Sequence, residues 1–253
     1  MTQGRRPRAR RFVDKTPGAA TPVHAARLRQ RSFNDREHTM NKGLIRALGI
    51  LALSLAAQSQ AQTHADDVAL WNADWAQYRS LESLPLDARG YVAQSQELTI
   101  VIAAPLRQVY RIYSNVDNAL GLHPFLKAIS PVRRFDAWGI PTYDFIAYED
   151  IPLPDGSTFN GVTVARQRFF AWANFYDADS YDVPGIVTHQ HITFARVRGG
   201  TRVTEHLGFE APPQYIDQAV QGGVYAHTLV QNGLKARIES GYYKKQLGDD
   251  APD

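Results

Sequence analysis

The sequence predicts an α+β protein in which a curved antiparallel sheet wraps around one long C-terminal helix. Three observations carry that expectation. Six strand-like stretches follow one another over about 85 residues, joined by short turn-rich links. A single helical repeat of apolar residues then runs from Tyr215 to about Tyr243. One further strand, followed by a helix opened by Pro105, precedes both. Strands gathered into one run, with helices before and after, must bury the apolar face of the sheet against those helices.

The chain of 253 residues opens on two segments that stand apart from this pattern. Residues 1–39 hold nine arginines and one lysine against three acids, with Pro, Thr and Gly and no hydrophobic period. Such a stretch cannot build a core. It reads as an extension upstream of the true start at Met40, with a basic arm for nucleic acid or anionic lipid as the weaker reading. Residues 40–61 have the parts of a secretory signal peptide: Lys42 and Arg46, an apolar run from Ala47 to Ala57, and Ser59-Gln60-Ala61 before the cut. The apolar run is about half the roughly 20 residues a transmembrane helix needs. The expectation is a periplasmic or secreted product beginning near Gln62.

Without those segments the formal charge of +3 becomes about −6, with 16 basic and 22 acidic residues remaining. A nucleic-acid partner therefore loses its support. The 192 residues left suit one domain, and the absence of cysteine excludes disulfides and a lipidated cysteine at the cut.

Residues 62–93 divide into a helix and a connector. Val68, Leu70, Trp71, Trp75 and Tyr78 recur mostly at three- and four-residue steps, predicting an amphipathic helix from Asp67 to about Ser80; Leu84 to Gly90 is rich in turn formers. The main domain is expected over 94–245, with 246–253 as a tail. Its first strand covers about Gln94 to Ala103, with Leu98, Ile100 and Ile102 on one face. The helix opened by Pro105 buries Leu106, Val109, Tyr110, Ile112 and Tyr113, and a second short helix is expected from Val116 to Leu126. The strands that follow are expected at Ala128 to Phe135, Thr142 to Tyr148, Gly161 to Ala171, Ala173 to Tyr181, Ile186 to Arg198 and Thr201 to Glu210.

A two-residue turn at Gly199-Gly200 would pair Arg198 with Thr201. One face of that hairpin then carries Ile192, Phe194, Val203, Leu207 and Phe209, and the other His189, His191, His206 and Glu210. Ala211-Pro212-Pro213 ends the last strand. In the long helix, Gly222-Gly223 costs roughly 1–2 kcal/mol relative to alanines, marking a bend or a close contact.

This element order resembles the START-like superfamily, also called SRPBCC, the polyketide cyclase, dehydrase and lipid-transport group. Leu98 to Asn115 (LTIVIAAPLRQVYRIYSN) resembles the family's opening strand and helix, and Leu229 to Glu239 (LVQNGLKARIE) part of its closing helix, over a match of about residues 94–245. The resemblance implies a helix-grip fold and a cavity between sheet and helix for a lipid, isoprenoid, sterol, polyketide or other hydrophobic small molecule. Together with the export signal, it leads to the expectation of a carrier or binding protein, with that ligand and transient membrane contact as its partners and with no cofactor. A cavity enzyme of the cyclase or dehydratase type and a non-catalytic envelope interaction module are the alternatives.

The expected cavity wall is Tyr143, Phe145, Val162, Val164, Phe194, Leu207, Phe209, Val220 and Val224, with Glu205 and His227 as its placed polar groups. Asp144, Arg166 and Arg168 are further acid–base candidates; ion pairing across the strands is their simpler reading. His189, His191, His206 and Glu210 have a spacing zinc or copper could use, yet polar residues on the outer side of an antiparallel sheet need no further cause. No metal is assigned to them. Phe169 to Tyr176 reads as two buried strands meeting, with a carbohydrate or membrane patch as the alternative.

Overall fold

The computed structural model describes residues 63–152, 156–182 and 185–244. The signal-peptide region, the basic extension and the tail from 246 lie outside the described residues. Helix α1 covers 63–82. Strand β1 (Val92–Ile102), helix α2 (Leu106–Tyr113), strands β2 (Leu126–Ala137), β3 (Ile140–Pro152), β4 (Thr158–Phe170), β5 (Phe175–Asp182), β6 (Ile186–Val197) and β7 (Gly200–Ala211), and helix α3 (Ile216–Glu239) follow. The strands form one antiparallel sheet in the order β1-β7-β6-β5-β4-β3-β2. This is the predicted α+β helix grip: α3 lies across β1 and β7, inside the curve of the sheet.

Alternation sorts every strand into two faces, because successive side chains point to opposite sides. On the concave face Ile192, Phe194 and Val203 pack with Val109, Ile112 and Tyr113 of α2 and Leu234 and Ile238 of α3. The outer face is also covered. There Trp71, Trp75 and Tyr78 of α1 pack on Val132, Ile146, Val164, Tyr181 and Val187. Helix α1 therefore closes the side of the sheet opposite α3 and is no lid for the concave side. Its indoles explain the placement: Trp71 is buried, stacks on Trp75 at 5.0 Å, and its Nε1 donates to the Ala165 carbonyl at 3.2 Å.

Three expectations change locally. The helix predicted over 116–126 is one turn of 3-10 helix, Val116–Ala119. Gly121 at φ +73° redirects the chain, and Leu122 packs so close to Gly233 of α3 that a Cβ there would lie 2.4 Å from it. The β6–β7 turn is Arg198-Gly199, with Val197 opposite Gly200. Glycine at 200 is demanded by β1, since a Cβ would stand 2.0 Å from the Ile102 carbonyl oxygen. The shift amounts to two residues and so leaves the predicted faces intact. Finally, Ala171–Ala173 is a 3-10 turn rather than strand, ended by Asn174 in the left-handed region at φ 57°.

Candidate functional site

Tyr113 at the end of α2, Glu205 in β7 and His227 in α3 meet on the concave face. Glu205 is 2% exposed. Its two oxygens are divided: Tyr113 Oη donates to Oε1, and His227 Nδ1 lies 2.5 Å from Oε2. Gln231, one helical turn beyond His227, is also buried and lies beside Glu205 and Tyr113. Burial works to raise the Glu205 pKa, but the charge of His227 and the hydrogen bonds from His227, Tyr113 and Gln231 outweigh it and hold the carboxyl below its ordinary range. The same surroundings push the Tyr113 hydroxyl far up, first through burial and then through the Glu205 charge. Tyr113 therefore remains a donor and Glu205 an acceptor near neutral pH.

Local sequence explains why these three groups converge. Glu205 stands between Val203 and Leu207 on the inward side of β7, and Tyr113 belongs to the apolar stripe of α2. His227 follows Val220 and Val224 at helical spacing along the face of α3 that meets the sheet. Its side chain is 22% exposed, and Nε2 has no hydrogen bond among the described residues. A carboxylate on Nδ1 fixes the ring and leaves Nε2 free to accept or deliver a proton.

A second polar pair lies in electrostatic reach of His227. His123 Nδ1 accepts from the Phe125 and Leu126 amides at 3.3 and 3.1 Å, which places the ring proton on Nε2. That atom points toward Glu149 Oε1, 3.8 Å away. Burial, with the charge of His227, lowers the His123 pKa to about 4, so the ring is neutral at pH 7. Burial raises the Glu149 carboxyl despite the hydrogen bond from Thr163. Phe125 and Tyr225, with ring centroids 6.3 Å apart, link this segment to α3.

The residues expected to form a cavity wall fall into separate buried packing groups. Tyr143 and Phe145 pack with Ala165. Phe194 meets Tyr113 edge-on at 5.7 Å, and Leu207, Phe209, Val220 and Val224 form a third group. Val162 and Val164 do not belong to it: both lie on the outer face beneath α1. The reason is register, since Val164 pairs with Ile146 and Tyr181, which share its outward side.

The acid–base candidates Asp144, Arg166 and Arg168 also face outward. Asp144, fully buried, is held by Arg166 Nε at 2.7 Å and Arg133 Nε at 2.6 Å, with both guanidinium groups against Trp71. Arg168 pairs with Asp179 at 2.6 Å. Each histidine of the outer face has a carboxylate: His189 with Asp179 at 2.8 Å, His191 with Asp177 at 2.6 Å and His206 with Glu97 at 3.3 Å. In the aromatic run, Phe170 stacks on Phe175 at 4.4 Å while Trp172 is 83% exposed.

Sequence reasoning found Glu205 and His227 but missed Tyr113, His123, Glu149 and Gln231 as parts of the same interior. Tyr113 read as plain core. His123 lay in an expected helix, and Gln231 carried no signal apart from its helical spacing to His227.

A seven-stranded antiparallel sheet gripping a C-terminal helix is the START-like helix-grip fold. No family model matches the chain, and no curated protein sequence does. Solved structures similar to it include the Zhui aromatase/cyclase from Streptomyces sp. R1128, at 10% identity and TM-score 0.48, covering 60% of this chain and 96% of that one. A START superfamily protein from Mycobacterium smegmatis matches at 16% identity and TM-score 0.44, over 59% and 97%. The protein TTHA0849 from Thermus thermophilus matches at 16% and 0.43, over 60% and 98%.

Proposed function

We propose that the protein binds a hydrophobic small molecule of the lipid, isoprenoid or sterol class between the sheet and α3, and that it does so in the periplasm or as a secreted protein. The observation that carries this reading is the buried Tyr113–Glu205–His227 cluster. An ionised carboxylate enclosed by Val203, Leu207 and Phe194 is costly to keep unless its hydrogen bonds serve a purpose, and ligand sites combine apolar walls with few placed polar groups. In this reading His227 Nε2 holds the polar end of the ligand, and Phe194, Leu207 and Phe209 receive its apolar body.

The Glu205–His227 hydrogen bond also favours a second reading. A carboxylate that orients an imidazole is the arrangement of a general base, so the same site would suit proton transfer in a cyclisation or dehydration. The two readings differ in what happens to the ligand after it binds.

Native mass spectrometry of protein recovered from the cell envelope tests the proposal. The expected result is a chain beginning near Gln62 with a co-purifying apolar ligand, returned unchanged after incubation. His227→Ala should weaken its retention by about 10- to 100-fold, the value of a hydrogen bond to a charged group. Recovery of an altered ligand would favour the enzyme. Absence of any bound apolar molecule, together with no uptake from a panel of fatty acids and isoprenoids, would overturn both.

A further inference from the structure

The outer face carries a cluster that the concave site does not use. Glu82 lies at the end of α1, His189 on β6 and Glu210 on β7, and one donor atom from each comes within 4.8 Å of the other two. His189 Nε2 is 3.8 Å from Glu82 Oε2 and 3.9 Å from Glu210 Oε1.

The surroundings orient all three atoms. Arg89, whose side chain is 5% exposed, takes the remaining oxygen of each carboxylate: Nη1 lies 2.6 Å from Glu82 Oε1 and Nη2 2.9 Å from Glu210 Oε2. Each glutamate is thereby split, with one oxygen on the guanidinium and the other turned toward His189. On the far side of the ring, Nδ1 is 2.8 Å from Asp179 Oδ1, and Asp179 is itself held by Arg168 at 2.6 Å. A carboxylate on one ring nitrogen fixes an imidazole so that the other can ligate a metal.

We propose that Glu82, His189 and Glu210 form a binding site for a divalent metal ion of the zinc class, which clasps the end of α1 to the outer face of the sheet. One imidazole and two carboxylate oxygens are a nitrogen–oxygen set that suits zinc, whereas calcium takes six to eight oxygens. Three protein ligands leave a fourth position for water. Zinc bonds of about 2.0–2.2 Å place tetrahedral donor atoms roughly 3.3–3.6 Å apart, so each glutamate oxygen needs to approach His189 Nε2 by only a few tenths of an ångström.

Charge is consistent with this assignment. With Arg89 set against the two glutamates, the cluster keeps a net negative charge that attracts a dication. The other charged groups of the cluster are Arg89 from the connector, Arg168 from β4 and Asp179 from β5.

Titration of the full chain with zinc against a chromophoric chelator, followed by thermal melts, tests the site. The wild type should bind one zinc per chain and melt at a higher temperature with zinc than with chelator. His189→Gln and Glu210→Gln should abolish saturable binding, and Asp179→Asn should weaken it about 10- to 100-fold. His191→Ala, which alters the neighbouring Asp177 pair, should leave it unchanged. Glu82→Gln also weakens the Arg89 ion pair, so it should melt below the wild type in chelator. It should lose the zinc-dependent rise whatever its starting melting temperature. No one-to-one binding by the wild type, or equal binding by the His189 and Glu210 variants, would overturn the proposal. The site lies on the face opposite Glu205 and His227, so either outcome leaves the ligand reading separately testable.

Discussion

Gly222 and Gly223 are neighbours in α3 with different surroundings. A Cβ on Gly223 would lie 2.5 Å from Cε1 of Phe209, whereas one on Gly222 meets nothing within 4 Å. Phe209 is 3% exposed and has little room to retreat. The glycine pair therefore marks a close approach of α3 to the sheet, and only its second member makes it. Gly222→Ala should stabilise the protein by up to about 1 kcal/mol through helix propensity, while Gly223→Ala should destabilise it by roughly 1–3 kcal/mol through overpacking. Urea denaturation of the two variants checks this; the same sign for both would refute it.

At the scale of elements, α1 carries the largest consequence. Its periodicity was plain in the sequence, but not the surface it would cover. Trp71 and Trp75 lie over Arg166, with the ring centroids 5.1 and 4.8 Å from its guanidinium carbon, and the buried Asp144 pairs with both Arg166 and Arg133 beneath them. The helix thus seals a charged layer as well as an apolar one. Trp71→Ala should cost about 3–5 kcal/mol, the usual loss for a buried tryptophan. It should also raise hydrogen exchange across 63–82 while leaving α3 protected. Uniform exchange throughout the domain would show that α1 is no separate layer.

Across the whole molecule, buried ionisable groups give opposing dependences on pH. Burial, reinforced by the charge of Glu149 and opposed by the Ile186 amide, raises Asp182 from 3.8 to about 7. From about pH 4 to 7 the unfolded chain has lost a proton that the folded chain keeps, so this group lowers stability as pH rises through that window. His123 runs the other way. With its folded pKa near 4 against 6.5, it lowers stability as pH falls from about 6.5 to 4. Glu205, lowered in the fold, stabilises above its ordinary value of 4.5 and loses that contribution as pH falls through its folded value. Asp182→Asn should therefore gain on the wild type progressively between pH 4 and 7 in denaturant melts. A constant difference over that range would remove Asp182 as the cause.

Local pattern alone was enough for the strands, α2, α3 and the inward set Phe194, Glu205, Leu207, Phe209 and His227, because a period of two or of 3.6 residues records which side of an element is buried. It also survived the two-residue error in the β6–β7 turn, since side-chain direction repeats every second residue. What depended on the tertiary structure was everything set by long-range proximity. Val162 and Val164 alternate as regularly as Phe145, yet α1 made theirs the outer side, because a sheet covered on both faces has apolar residues pointing both ways. Tyr113 and Glu205 are 92 positions apart. Only the closing of the sheet around α3 brought them to one hydrogen bond.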